Sequence, residues 1–193
     1  MVRGYLAARW RKGPLRRDLD DAVQEVFVEC FKQGGILSHA QRDRPGGFRA
    51  FLYGVVRNVA RRLEARRSRD QQAADDVDLD ELPADEESQA RLFDRAWARS
   101  LLREAAQRQE EHARRAGAAA LHRVELLRLR FHDGLPIRTI AARWQIEAAT
   151  LHHEYAKARQ DFKTALAEVV AFQHPGTPAE IERECANLLL LLG

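Results

Sequence analysis

The chain has 193 residues and an ordinary share of apolar residues, 45%, enough for one domain core or two small ones. Two cysteines, Cys30 and Cys185, leave no paired-Cys metal spacing and make a poor disulfide framework, and the longest apolar run, Leu188 to Leu192, is far too short to span a bilayer. The net charge of +3 hides a separation: residues 70–90 hold Asp70, Asp75, Asp76, Asp78, Asp80, Glu81, Asp85, Glu86 and Glu87 and no Lys or Arg, so the remainder is distinctly basic.

Met1 to Lys12 reads as the end of a helix, with Tyr5, Leu6, Ala8 and Trp10 as its apolar residues, and Gly13-Pro14 breaks it. VRGYLAARWRKG has no apolar core, so no signal peptide is expected and the setting is expected to be reducing and cytoplasmic. Asp18 is placed to cap a second helix, with Asp20 and Asp21 in the first turn, where the helix dipole favours acids. Its apolar face takes Leu19, Ala22, Val23, Val26, Phe27, Cys30 and Phe31, and its outward face takes Asp21, Gln24, Glu25 and Val28. Gly34-Gly35 ends it, and Asp43 to Gly47 has the composition of a turn.

Phe48 to Arg69 follows, with Phe48, Phe51, Leu52, Val55, Val56, Val59 and Leu63 at helical spacing. The other face carries Arg49, Arg57, Arg61, Arg62, Arg66, Arg67 and Arg69 against Glu64 alone, with Tyr53 and Asn58 among them. Such a helix has the parts to hold a phosphate backbone and probe bases; a solvated face is the competing reading. Its apolar side is expected to pack antiparallel on the helix over 19–31. Asp70 to Gln89 reads as an extended linker.

Arg91 to about Arg115 is predicted helical, with Leu92, Phe93, Ala96, Trp97 and Leu101 inside, and Ala118 to Phe131 is predicted to be a further helix with Leu121, Val124, Leu127 and Phe131 in register. His132-Asp133-Gly134 stops it. Pro136 suits a first helical position, and Ile137, Ile140, Ala141 and Trp144 share a face. After a break at Gln145-Ile146, a longer helix runs from about Ala148 with Leu151, Tyr155, Ala158, Phe162, Leu166 and Val169 inside. Two helices so closely joined describe a helix-turn-helix. His174-Pro175-Gly176 is a break, and Thr177-Pro178-Ala179-Glu180 has the form of a capping box. The last helix sets Ile181, Cys185, Leu188 and Leu192 on one side, and its leucine-rich end requires burial in this chain or against a partner.

The segments DLDDAVQEVFVECF, FRAFLYGVVRNVARR and GLPIRTIAARWQIEAATLHHEYAKARQDF, in this order and with an acidic spacer between the halves, resemble three signature segments of bacterial sigma factors. The type is the extracytoplasmic-function (ECF) group of the sigma-70 family. The FDRAW segment from Phe93 and the TPAEIERE tail resemble one of its subgroups. The resemblance implies an all-α chain: residues 1–69 as a domain for core binding and minus-ten recognition, 70–90 as an acidic linker through polymerase, 91–172 as a helix-turn-helix domain, and 173–193 as a C-terminal helical extension.

It implies further that Asp21, Gln24, Glu25 and Phe27 contact the β′ clamp helices of core RNA polymerase, with the β flap as a second polymerase contact. Phe51, Tyr53, Arg57, Asn58, Arg61 and Arg62, supported by Leu52, would melt and read the minus-ten element; a base entering a pocket can stack while arginines hold the backbone. Ala148, Ala149, His152, His153 and Lys157 would face the major groove at minus thirty-five. An anti-sigma factor is a further partner of such proteins.

Three departures from the pattern carry expectations. Most of the helix before Tyr5 is missing, which predicts a truncated first helix or a misassigned start. Glu154 stands where a basic residue is common, which predicts weak minus-thirty-five binding. Gln145 replaces the turn glycine, which predicts a different turn or a left-handed Gln.

His152-His153-Glu154 is not a zinc motif, because position 157 is Lys. No Gly-rich phosphate loop, nucleophile elbow or paired acid–base site is present in the sequence, so neither an enzyme nor a metal or other cofactor is expected. A helix-turn-helix regulator, or a degenerate sigma-like protein that does not support initiation, is the alternative. The helix over 18–31 separates the two, since a simple repressor needs no polymerase-binding helix.

Overall fold

A computed structural model describes residues 1–32, 47–72 and 86–192, and among them the secondary structure is entirely helical. The helices are α1 (Val2–Arg9), α2 (Leu19–Phe31), α3 (Gly47–Gln72), α4 (Glu86–Ala116), α5 (Ala118–Leu127), α6 (Ile137–Trp144), α7 (Ala148–Gln173) and α8 (Pro178–Leu190). The chain falls into two compact units, Met1–Arg99 together with Leu191 and Leu192, and Ser100–Leu190. The predicted stop at Gly34-Gly35, the turn up to Gly46 and the middle of the acidic segment, 73–85, lie outside the described residues.

In the first unit α2 packs on α3, as their apolar faces require, and α1 packs on α2. The core is narrower than the sequence pattern. On α2 it is the seam Leu19, Ala22, Val26 and Cys30; on α3 it is Leu52, Val55, Val56, Val59 and Ala60. Phe27 and Phe31, expected inside, are instead 53% and 73% exposed, stacked on each other with centroids 6.4 Å apart. A seam one residue wide accommodates only one of the adjacent apolar positions in VFVECF. Asp18 precedes α2 without a side-chain cap bond, because the 3-10 turn Pro14–Asp18 runs straight into the helix.

The acidic segment is shorter than expected as a linker. Asp70–Gln72 continue α3, and Glu86–Gln89 open α4. The first unit also reaches past residue 69 to Arg99, and the aromatic residues of α4 explain why. Phe93 lies edge-on to Tyr5 at 5.5 Å and meets Tyr53 at 5.1 Å, while Trp97 packs beside Phe48 at 6.3 Å. Buried Gln89 accepts a hydrogen bond from Tyr5 Oη at 3.3 Å.

In the second unit α7 is the central helix, packing against α5, α6 and α8. Leu126, Leu129, Ile140, Ala141 and Leu151 form one cluster, with Leu135, Ile137, Trp144, Ile146 and Tyr155 packed around it. Gln109 is buried and donates to the Ala158 carbonyl at 3.1 Å. The expected register of α5 is corrected: Leu126 and Leu129 are buried, Leu121 is exposed, and Phe131 is 68% exposed. VELLRLRF offers apolar residues to more than one face, and α5 gives way to a π-helical turn, Arg128–His132, closed by Asp133 N–H on the Arg128 carbonyl.

Thr177 and Glu180 form the predicted capping box: Glu180 accepts from Thr177 N–H at 2.7 Å and Oγ1 at 2.8 Å. α8 buries Cys185 and Leu188, Leu191 and Leu192 are half-buried, and Leu189 and Leu190 remain exposed, so this chain covers the leucine-rich end only in part. No described helix is long and apolar enough to cross a membrane.

Candidate functional site

The position of α3 is fixed by a polar network on its buried side. Glu64 accepts from Arg9 Nε at 2.6 Å, Arg9 Nη2 at 2.8 Å and Trp10 Nε1 at 2.8 Å. Arg9 also donates to Tyr5 Oη at 3.1 Å, and burial pushes the Tyr5 hydroxyl pKa up. The one acid that interrupts the basic face therefore ties α1 across α3.

The residues expected at the minus-ten element divide into three kinds. Asn58 and Arg61 are exposed on α3, with Arg66, Arg67 and Arg69 beyond them. Phe51 and Tyr53 belong to the aromatic contacts of the unit: Phe51 stacks beside Phe48 at 6.0 Å, and Tyr53 packs on Tyr5 and Phe93. Arg57 is half-buried. Tyr53 lies among the arginines along α3, as expected, with its ring held by two neighbours, Tyr5 and Phe93.

Arg62 is the third kind. Its guanidinium binds Glu29 at 3.0 Å and Glu25 at 2.5 Å, both on α2, while Lys32 binds Glu29 at 2.6 Å. Lys32 and then Arg62 hold the Glu29 carboxyl below its ordinary range. A residue expected to face DNA is therefore paired with one expected to face polymerase. Asp21, Gln24 and Phe27 are exposed on α2, and half-buried Glu25 is paired with Arg62. The spacing Glu25–Glu29, one turn on a single face next to a basic helix, is the sequence signal for this cluster.

In the second unit, Ala148, Ala149, His152 and His153 are exposed on the first turns of α7. Lys157 is exposed but binds Glu154 at 2.9 Å, and Arg123 approaches the same carboxylate at 3.7 Å. Lys157 foremost, with help from Arg123, holds Glu154 below the ordinary carboxylate range. Gln145 closes α6 in the left-handed region, φ 55° and ψ 39°. There its N–H reaches the Ala142 carbonyl at 3.3 Å and Ile146 N–H reaches Ala141 at 3.0 Å, so the carbonyls at the helix end are satisfied. Trp144 is half-buried and stacks on His122 at 4.0 Å.

Sequence reasoning missed two features here: the Arg62 cluster and the outward ring of Phe131. Among the described residues no group of three or more His, Cys, Asp or Glu side chains is placed to hold a metal ion. Comparison of the chain with protein-family models, curated proteins and solved structures gave no match.

Proposed function

We propose that this chain is a sigma-type specificity subunit that recruits core RNA polymerase to promoters and supports initiation of transcription. One observation carries the reading: a polar, partly acidic α2 surface (Asp21, Gln24, Glu25) and a basic α3 surface (Asn58, Arg61, Arg66) belong to the same small unit. A simple DNA-binding regulator has use for the second surface and none for the first.

In this reading α2 docks on the β′ clamp helices, the second unit meets the β flap, and α3 holds the opened minus-ten strand through its guanidinium groups. The start of α7 then acts as the reading helix of a helix-turn-helix at minus thirty-five. Its contribution is small, because Lys157 is engaged by Glu154 and imidazoles, unlike guanidinium groups, carry no permanent positive charge. The reading assigns the chain no catalysis and no cofactor, and a cytoplasmic place beside polymerase. The exposed Leu189 and Leu190 of α8 are a candidate surface for an anti-sigma factor.

Run-off transcription with core polymerase, with and without the chain, on a library of source promoters tests the proposal. Transcripts that depend on the chain support it. Stable core binding without transcripts restricts the chain to a sigma-like protein that does not initiate. Absence of both favours a helix-turn-helix regulator.

A further inference from the structure

The aromatic pair Phe131–Tyr155 in the second unit has a composition that the reading above does not use. Phe131 sits in the π-helical turn and is 68% exposed. Its ring centroid lies 6.4 Å from that of half-buried Tyr155, tilted by 33°. Each ring carries a guanidinium: Arg130 lies 5.9 Å from the Phe131 centroid and Arg159 lies 5.8 Å from the Tyr155 centroid.

Neither arginine has a carboxylate partner among the described residues. The nearby acids are already engaged: Glu125 and Asp133 by Arg128, Glu154 by Lys157, and Asp161 by Arg123. The patch therefore presents the exposed Phe131 ring, backed by half-buried Tyr155, and two cations without a carboxylate partner among the described residues.

We propose that Phe131, Tyr155, Arg130 and Arg159 form a platform for single-stranded nucleic acid, with an unpaired base stacked on the Phe131 ring and flanking phosphates held by the two arginines. The chemistry selects this occupant. An apolar protein segment docking on Phe131 would bury two guanidinium groups without giving them anions, which is costly. A single strand brings one phosphate per nucleotide and a π-face with every base. Duplex DNA offers the phosphates but keeps its base faces inside the stack, so the ring selects unpaired strands. The platform is independent of polymerase binding and of initiation.

The test uses the full chain and a twelve-nucleotide oligothymidine, a backbone of equal length without bases, and the oligouridine equivalent, which separates DNA from RNA as the source. Phe131→Leu keeps an apolar side chain and removes the π-face. It is expected to weaken oligothymidine binding by about tenfold and to leave the abasic strand unchanged. Arg130→Ala with Arg159→Ala is expected to weaken both strands and to lower the salt slope by about 1.4, two phosphates' worth. Photocrosslinking from 5-iodouracil provides a local readout that the basic face of α3 does not obscure, and its adducts are expected on Phe131 or Tyr155.

Adducts confined to α3 together with unchanged affinity of Phe131→Leu overturn the proposal. So does loss of core-polymerase binding in that variant with oligonucleotide binding intact, which would assign the patch to a protein contact. Circular dichroism and thermal melting confirm that each variant is folded.

Discussion

Glu64→Ala is expected to destabilise the first unit by about 3 kcal/mol. The carboxylate receives three donors, from Arg9 Nε, Arg9 Nη2 and Trp10 Nε1, and the Arg9 side chain is only 8% exposed. Removing it leaves a guanidinium that is nearly buried and without its counter-charge; breaking a fully buried pair costs about 3–5 kcal/mol. Glu64 itself is 32% exposed, so water screens part of the interaction and the lower end applies. For a unit of this size that loss corresponds to a midpoint lower by roughly 15 °C.

Denaturation followed by tryptophan fluorescence measures the effect, since Trp10 and Trp97 both belong to this unit. The double variant Arg9→Met with Glu64→Leu should recover most of the loss, because an apolar pair removes the unpaired charge. A loss below about 1 kcal/mol for Glu64→Ala, or strict additivity in the double variant, would refute the assignment of Glu64 as the tie between α1 and α3.

Gln145→Gly should stabilise the second unit by up to about 1 kcal/mol, because glycine adopts φ 55° without the Cβ penalty; a lower midpoint would count against strain at that turn. Thr177→Ala should cost about 1 kcal/mol by opening the capping box, read as faster amide exchange at the start of α8. Glu29 and Glu180 are both held below the ordinary carboxylate range, Glu29 by Lys32 and Arg62 and Glu180 by Thr177. Their folded-state affinity for protons is lower than in the unfolded chain, so their stabilisation is present above about pH 4.3 and is lost as pH falls through the folded-state values. An acid melt series in which Glu29→Gln has the same pH dependence as the parent would contradict this. Arg57→Ala with Arg61→Ala is expected to reduce promoter opening more than polymerase binding, scored by permanganate footprinting and by core affinity; equal loss of both would count against the proposed division of labour.

The existence of the helices was legible because Gly-Pro, Gly-containing and Pro-containing breaks separate stretches with clear apolar spacing, and the capping box at Thr177 was readable to the atom. What the sequence concealed was the width of the buried seam. On α2, six apolar residues from Val23 to Phe31 share nine positions, and only contact with α3 decides that Val26 and Cys30 go in while Phe27 and Phe31 stay out. The same ambiguity in VELLRLRF, combined with a π-helical turn, placed Phe131 outside. Tyr53 illustrates a different limit. Its position among arginines along α3 was correct, but its partners Tyr5 and Phe93 come from distant parts of the chain, and no local pattern reports them. For the proposed site, the exposed stretch on α7 was readable from helical phase, whereas the engagement of Lys157 and Arg62 by carboxylates required the packed structure.

The Arg62 cluster has a consequence for how substitutions combine. Glu25 and Glu29 lend their charge to Arg62, so any binder that recruits Glu25 returns part of that guanidinium's charge to the surface of α3. Reciprocity requires the converse by the same factor: an anion that recruits Arg62 leaves α2 more negative. For a pair this exposed the linkage is bounded at about 1 kcal/mol, roughly fivefold in either affinity. The two helices thus share an electrostatic thermodynamic cycle, and charge reversals on one are expected to read out on the other.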